Sequence, residues 1–218
     1  MTVETFTETS VEPAVRGFLE GRPSQSCDSL ILTHGAGGNA QMPLLVQLAE
    51  AFAGAGFTVL RANLPFRQLR PSGPPRAGEA ARDRAGLKNA VRAVENLGPG
   101  RIFLGGQSYG GRQASMLCAE EKVAAGLLLL SYPLHPPGRS DRPRTQHFPE
   151  LATPVLFVHG TRDAFGSIEE IEAARRLIPA KTRLFPVEGA GHDLGFKGKA
   201  RPQDFARAVV EQWVEFLA

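Results

Sequence analysis

What most constrains the fold of this chain is a series of short apolar runs whose hydrophobic residues follow one another without alternation. "SLILTHG", "FTVLRANL", "RIFLGG", "AAGLLLLSYP", "PVLFVHG" and "TRLFPVEG" each read as a strand. An alternating strand keeps one face in water, whereas a continuous apolar run predicts burial on both faces. Between the runs lie segments with helical spacing: "MPLLVQLAEAFAGAG", "GEAARDRAGLKNAVRAVENLG", "GGRQASMLCAEE", "SIEEIEAARRLIP" and the closing "RPQDFARAVVEQWVEFLA". Repeated strand–helix units predict an α/β protein, with a mostly parallel sheet covered by helices on both faces. "TFTETS" and "AVRGFLEG" predict a leading hairpin. The 218 residues suit one domain spanning 1–218. In such sheets the functional loops leave the carboxyl ends of the strands. Two of those loops are proline-rich, Leu64 to Pro75 and Pro133 to Pro149.

Bulk properties narrow the function classes. The net charge is +3, spread along the chain without a long basic block, which argues against nucleic acid as a partner. Two cysteines, Cys27 and Cys118, make neither a disulfide framework nor a metal motif and read as reduced, partly buried thiols. The polar, acidic start "MTVETFTETS" lacks the features of a signal peptide, and the longest apolar run, "VAAGLLLL", is too short to cross a bilayer. The expectation is a soluble cytoplasmic protein with no membrane or nucleic-acid partner. Oligomeric state is not readable.

The chemistry centres on Gly106-Gln107-Ser108-Tyr109-Gly110, a G-x-S-x-G pattern with a strand before it and a helix after it. A tight strand-to-helix turn lifts the serine hydroxyl above the sheet, and flanking glycines are needed because side chains there would clash. The helix N-terminus favours negative charge developing at the site. A serine hydroxyl is a poor nucleophile without a base. The chain order for such a turn is serine, acid, histidine. His192, in the glycine-rich "EGAGHDLGF" after the last strand, fits the base. Asp163, in "VHGTRDAFG", fits the acid that holds the imidazole tautomer. Asp193 competes for that role but adjoins His192, a poor geometry for holding its ring. His135 and His147 precede the acid and break the order, and His159 ends its strand. The oxyanion donors are expected from the amides of Tyr109 and of Ala36 in "HGAGGN", with His34 orienting that loop.

With these motifs in place, the chain resembles an α/β-hydrolase over nearly its whole length, and more narrowly the compact dienelactone-hydrolase-like branch. "LTHGAGGN", "GGQSYGGRQAS", "LLLLSYPLHPPG" and "PVLFVHGTRDAFG" carry the resemblance. They are similar to a subgroup that includes testis-expressed and chromatin-complex-associated hydrolase-like proteins. Dienelactone hydrolases carry a cysteine nucleophile where this chain has Ser108. Many relatives insert a cap domain where this chain has only Pro133–Pro149, so the resemblance implies no large cap. It implies a Ser108–His192–Asp163 triad acting on a small-molecule ester through an acyl-enzyme, with no cofactor and no metal.

Two other readings compete. Gly35-Ala36-Gly37-Gly38-Asn39-Ala40 fits G-x-G-x-x-A, a weak dinucleotide signal; the following strand lacks the acidic residue for a ribose, and Arg61 is its one feature suited to a 2′-phosphate. Alternatively the fold serves as an interaction module with an idle triad. On substrate, the missing cap predicts compact acyl groups screened from water by Tyr109, Phe66 and Phe165. Arginines in the two proline-rich loops, Arg67, Arg70, Arg76, Arg139, Arg142 and Arg144, with Arg112 one turn into the nucleophile helix, raise the expectation of an anionic substrate. Arg67, Arg112 and Arg144 are best placed, joined by His135, His147 and Phe165 as candidate substrate contacts.

Overall fold

The computed structural model describes residues 3–21, 28–98, 100–196 and 203–218. Its strands are β1 (Val3–Glu8), β2 (Val15–Glu20), β3 (Ser29–Thr33), β4 (Thr58–Ala62), β5 (Ile102–Gln107), β6 (Gly126–Leu130), β7 (Val155–Gly160) and β8 (Thr182–Val187). The helices are α1 (Pro43–Gly54), α2 (Pro65–Leu69), α3 (Glu79–Glu95), α4 (Tyr109–Glu120), α5 (Ile168–Arg175) and α6 (Gln203–Leu217). The strands form one eight-stranded sheet in the order β1-β2-β4-β3-β5-β6-β7-β8. The expected hairpin is β1–β2, antiparallel, with Val3 opposite Glu20 and Glu8 opposite Val15. β2 also runs antiparallel to β4, and every later pairing is parallel.

The continuous apolar runs explain the layers. β3, β4, β5, β6 and β7 are buried along almost their whole length, and successive side chains feed opposite faces. Ile31, Leu60, Leu104, Leu127, Leu129 and Phe157 join the core under α3, α4 and α5. Leu30, Leu32, Val59, Phe103, Leu128, Leu130 and Val158 join the core under α1 and α6, closed by Phe52 and Trp213 with ring centroids 6.4 Å apart. Each fully buried Leu, Val or Phe contributes about 1.5–3 kcal/mol of burial. Both edges differ: β1 is largely exposed and rich in Thr and Glu, and β8 is half-buried with Pro186 near its end, features that discourage pairing with another sheet.

Three details lay beyond the sequence reading. The Leu64–Pro75 loop contains α2, five residues started by Pro65 at its first turn and anchored by buried Phe66; it is too short to show a helical period. The Pro133–Pro149 loop ends in a 3₁₀ turn, Phe148–Glu150, with Phe148 fully buried. α5, which opens on a capping box between Ser167 and Glu170, stops at Arg175, the first residue of the expected "RRLIP" end. Cys118 is a buried free thiol, and Cys27 lies outside the described residues. Among the described residues, no helix is long and apolar enough to cross a membrane.

The strand order reverses at β3. From β3 the chain goes through α1 to β4 on one side, then returns through α3 to β5 on the other. The loops leaving β3 and β5 therefore diverge over a crevice at the carboxyl edge, where open α/β sheets bind ligands. The sequences that meet there are "HGAGGN" and "GQSYGG".

Candidate active site

Ser108 sits between β5 and α4 with φ 49° and ψ −114°, a left-handed conformation that a non-glycine residue adopts only when its surroundings enforce it. Its amide donates to the Leu130 carbonyl at 2.8 Å, and its carbonyl accepts from the Arg112 amide at 2.9 Å. The turn is too tight for side chains at its flanks. A β-carbon on Gly106 would lie 2.8 Å from the Gly111 nitrogen, and one on Gly110 would lie 2.5 Å from the His34 carbonyl oxygen. The glycine pairs thus let β5, α4 and the β3 loop close around one hydroxyl.

The base arrives from the loop after β8. His192 Nε2 lies 2.8 Å from Ser108 Oγ, and His192 Nδ1 lies 2.8 Å and 3.0 Å from the two Asp163 carboxylate oxygens. The carboxylate of Asp163, which follows β7, is fully buried; it also accepts from the Phe165 amide at 2.8 Å. Nδ1–H donating to Asp163 leaves Nε2 free to accept the serine proton. The Phe165 ring stacks on His192 at 4.1 Å between centroids and 29° between planes. Gln107 Nε2 donates to the His192 carbonyl at 3.3 Å, tying the nucleophile turn to the base loop. Asp193 instead accepts from the Gly195 amide at 2.9 Å and shapes the loop. His159 is fully buried, donates to the Gly166 carbonyl at 2.8 Å, and is held below the usual histidine range chiefly by burial.

The loop after β3 lies directly beside the hydroxyl: a β-carbon on Gly35 would come within 3.5 Å of Ser108 Cβ. Ala36 is next in the chain, and Tyr109 opens α4, so the two residues expected to supply oxyanion donors adjoin the serine from two elements. His34 orients this loop. The Leu64 amide donates to its Nε2 at 3.1 Å, so Nδ1 carries the proton and donates to the Gly35 carbonyl at 2.8 Å. Burial pushes its pKa down to about 4, which keeps it neutral and out of proton transfer.

Arg67 departs from expectation. It is buried, and its guanidinium donates to the carbonyls of Gly38 at 2.7 Å, Gly73 at 2.9 Å, Ala36 at 3.0 Å and Arg70 at 3.1 Å. Those bonds fasten the β3 loop to the loop after α2, so the Arg67 guanidinium is engaged in holding the Ala36 segment. His135 is likewise engaged, with Nδ1 2.8 Å from the Pro136 carbonyl and Nε2 3.2 Å from Glu170. His147 Nε2 lies 2.8 Å from Ser115 Oγ. Arg112 lies near the start of α4, and Arg144 lies in the loop between β6 and β7, its Nη1 donating to the Pro133 carbonyl at 3.3 Å.

Sequence reading missed Asp83, on α3. It is fully buried, accepts the Tyr109 hydroxyl at 2.7 Å and the Phe66 amide at 3.0 Å, and has its pKa raised by burial. Its only sequence signal is a polar residue at a core position of α3. The dinucleotide reading loses its cation: Arg61 is buried against Glu20, bonded at 2.5 Å, and reaches the Ala40 carbonyl at 2.6 Å. A broad cleft between α1 and α6 is lined by Gln47, Glu50 and Asp204 and by none of Ser108, Asp163 and His192. Among the described residues no cluster of His, Cys, Asp and Glu is arranged to hold a metal ion.

Residues 26–217 match the family model described as "Alpha/beta hydrolase domain". Among solved structures, the chain is similar to an alpha-beta serine hydrolase homologue from Coxiella burnetii, with 23% identity, TM-score 0.75, and 97% of this chain and 98% of that one covered. It is also similar to Est1E from Butyrivibrio proteoclasticus, with 16% identity, TM-score 0.75 and 98% of each chain covered. A dienelactone hydrolase from Anabaena variabilis aligns at 17% identity and TM-score 0.75, covering 98% of this chain and 97% of that one. At these identities the structures establish a common fold.

Proposed function

The chain belongs to the alpha/beta hydrolase domain family, and from that premise we propose that it is a serine hydrolase cleaving a compact ester through an acyl-enzyme. The observation that carries the proposal is the unbroken line from Ser108 Oγ to His192 Nε2, and from His192 Nδ1 to the buried Asp163 carboxylate. Each contact is at hydrogen-bond length, with the tautomer that proton abstraction requires.

In this reading His192 Nε2 takes the Ser108 proton as Oγ attacks the ester carbonyl. The carbonyl oxygen becomes an oxyanion facing the Ala36 and Tyr109 amides, and one such donor is worth roughly 3–4 kcal/mol in the transition state. Asp163 stabilises the imidazolium and keeps its ring aligned. The intermediate collapses as Nε2–H protonates the departing alkoxide, which leaves as an alcohol with the acyl group on Ser108. Water then loses a proton to His192 and attacks the acyl carbonyl. Return of that proton to Oγ releases the carboxylic acid and restores the enzyme.

The segment between β6 and β7 holds only a 3₁₀ turn, which supports a compact acyl group over a long chain. Phe165 on one face of the His192 ring supplies part of the cover that keeps bulk water from the base. Turnover of a short activated ester by wild type and Ser108→Ala tests the proposal: a loss of about 10³-fold or more is expected. Equal turnover would support the idle interaction module instead.

A further inference from the structure

His192 has neighbours at both ring nitrogens and on one ring face. Asp163 meets Nδ1 and Ser108 Oγ meets Nε2. The Phe165 ring lies on the face, with centroids 4.1 Å apart and planes 29° from parallel. That geometry is a stack, with the π face of Phe165 turned toward the imidazole.

The backbone that carries Phe165 is pinned by groups from several parts of the chain. The Phe165 amide donates to Asp163 Oδ1 at 2.8 Å, the same oxygen that lies 3.0 Å from His192 Nδ1. The Phe165 carbonyl accepts from the His135 amide at 3.0 Å, which ties it to the segment between β6 and β7. At Gly166 the carbonyl accepts from His159 Nε2 at 2.8 Å, and the amide donates to the Asp163 carbonyl at 3.4 Å. His159 Nδ1 is buried with no partner, so the ring proton sits on Nε2 and secures Gly166. A β-carbon on Gly166 would lie 3.0 Å from Leu134 Cβ, so a side chain there would push the loop after β7 away from Leu134. One carboxylate thus anchors the imidazole and the ring stacked on it.

The stack acts most strongly at one moment of the proposed reaction. As the Ser108 proton moves to Nε2, the His192 ring becomes an imidazolium and the negative charge passes to the oxyanion. A cation within about 6 Å of an aromatic centroid is drawn to the negative face of that ring, more so as water is excluded. The His192 side chain keeps only 26% of its exposure, so the attraction is partly shielded from solvent. A neutral imidazole gains far less from the same face. An interaction stronger in the transition state than in the ground state raises kcat. An aliphatic side chain of similar size would cover the ring without attracting its charge.

We propose that Phe165 is a positioning residue whose π face steadies the positive charge formed on His192 and fixes that ring between Asp163 and Ser108. The kinetic consequence rests on the hydrolase reading; the attraction between the two rings does not.

The kinetic arm measures kcat and KM on a short activated ester. It compares wild type, Phe165→Leu, Phe165→Tyr and proteins with mono-, di- or trifluorophenylalanine in place of Phe165. Fluorine drains the negative face while changing ring size little. Phe165→Leu is expected to lose about threefold to thirtyfold in kcat with KM nearly unchanged. Phe165→Tyr is expected to recover most of that loss, and log kcat to fall stepwise with each fluorine. A residue that only covers His192 would leave kcat at the wild-type value in Phe165→Leu and in the fluorinated series. The second arm needs no substrate. NMR of the carbon-bound protons of the His192 ring, assigned by their absence in His192→Ala, follows uptake of its proton as pH falls. In Phe165→Leu, and at the end of the fluorinated series, that uptake is expected at a pH lower by about half a unit or more. The titratable groups around the ring, Asp163 from the loop after β7, His159 on β7 and neighbouring Asp193, are common to all these proteins except where His192 is replaced. Melting temperatures show whether Phe165→Leu folds; where it does not, the fluorinated series decides, since it conserves shape. Equal kcat across that series in active enzyme, or proton uptake by His192 at one pH in every protein, overturns the proposal. A stepwise NMR response in a protein that turns over no ester would sink the hydrolase reading and leave the attraction between the rings standing.

Discussion

The Tyr109 hydroxyl donates to the Asp83 carboxylate at 2.7 Å, joining the residue after the nucleophile to a buried acid on α3. Asp83 also holds the Phe66 amide, and the Phe66 ring meets Tyr109 edge-on at 5.7 Å and His34 at 5.6 Å. One acid thus braces both Tyr109 and the α2 residue that packs on His34. Tyr109→Phe leaves Asp83 Oδ2 without its donor and should destabilise the protein by about 1–3 kcal/mol. Urea unfolding at neutral pH measures it; an unchanged midpoint would show that the brace carries no weight.

Asp163→Asn should lower kcat on an activated ester by about 10⁴-fold while leaving the fold intact, because the amide favours the wrong His192 tautomer. Asp193→Asn should stay within a few-fold of wild type, since Asp193 shapes its own turn through the Gly195 amide. Steady-state kinetics on both variants separate the two aspartates. The reverse ranking would reassign the acid.

Arg67→Met removes a guanidinium that satisfies four carbonyls across two loops. A loss of at least about 2 kcal/mol in stability is expected, together with a lower kcat as the Ala36 segment loosens. An anion-contact role for Arg67 would instead raise KM for charged esters alone and leave the unfolding midpoint in place.

His34 supplies a pH prediction. Its folded pKa, about 4, lies below the unfolded value of 6.5. Between these values the unfolded chain binds more protons, so the stability tied to neutral His34 is present above pH 6.5 and is lost as pH falls toward 4. His34→Asn keeps a donor for the Gly35 carbonyl but does not titrate. The stability advantage of wild type over His34→Asn should shrink by as much as roughly 3 kcal/mol across that window. Buried Asp83 and Glu20, whose pKa values are raised, act in the opposite direction and cancel in the comparison. A constant difference from pH 7 to pH 4 would mean that His34 titrates normally in the fold.

Much of this was legible before any coordinates. Continuous apolar runs announce buried parallel strands, because burial on both faces leaves no room for alternation; β1 and β2 were readable as a hairpin from a polar, Thr-rich edge sequence. The meeting of Ser108, His192 and Asp163 was readable because each follows a strand, and parallel strands deliver such loops to one edge. Asp83 was not, since its partner Tyr109 lies 26 positions away and helix periodicity says nothing of long-range hydrogen bonds. The arginines show the limit most clearly. Arg67, Arg139 and Arg112 look alike in sequence, yet one is sequestered by carbonyls, one pairs with Asp141, and one has a buried nitrogen without an acceptor. Only the packing around each side chain distinguishes them.

The central claim is that His192 activates Ser108. It is tested most directly by labelling with a fluorophosphonate, followed by intact-mass and peptide mass spectrometry on wild type, Ser108→Ala and His192→Ala. The account predicts a single adduct on Ser108 in wild type, none in Ser108→Ala, and a rate reduced by about 10³-fold or more in His192→Ala. An unlabelled Ser108 in folded wild type, or labelling of His192→Ala at the wild-type rate, would contradict it.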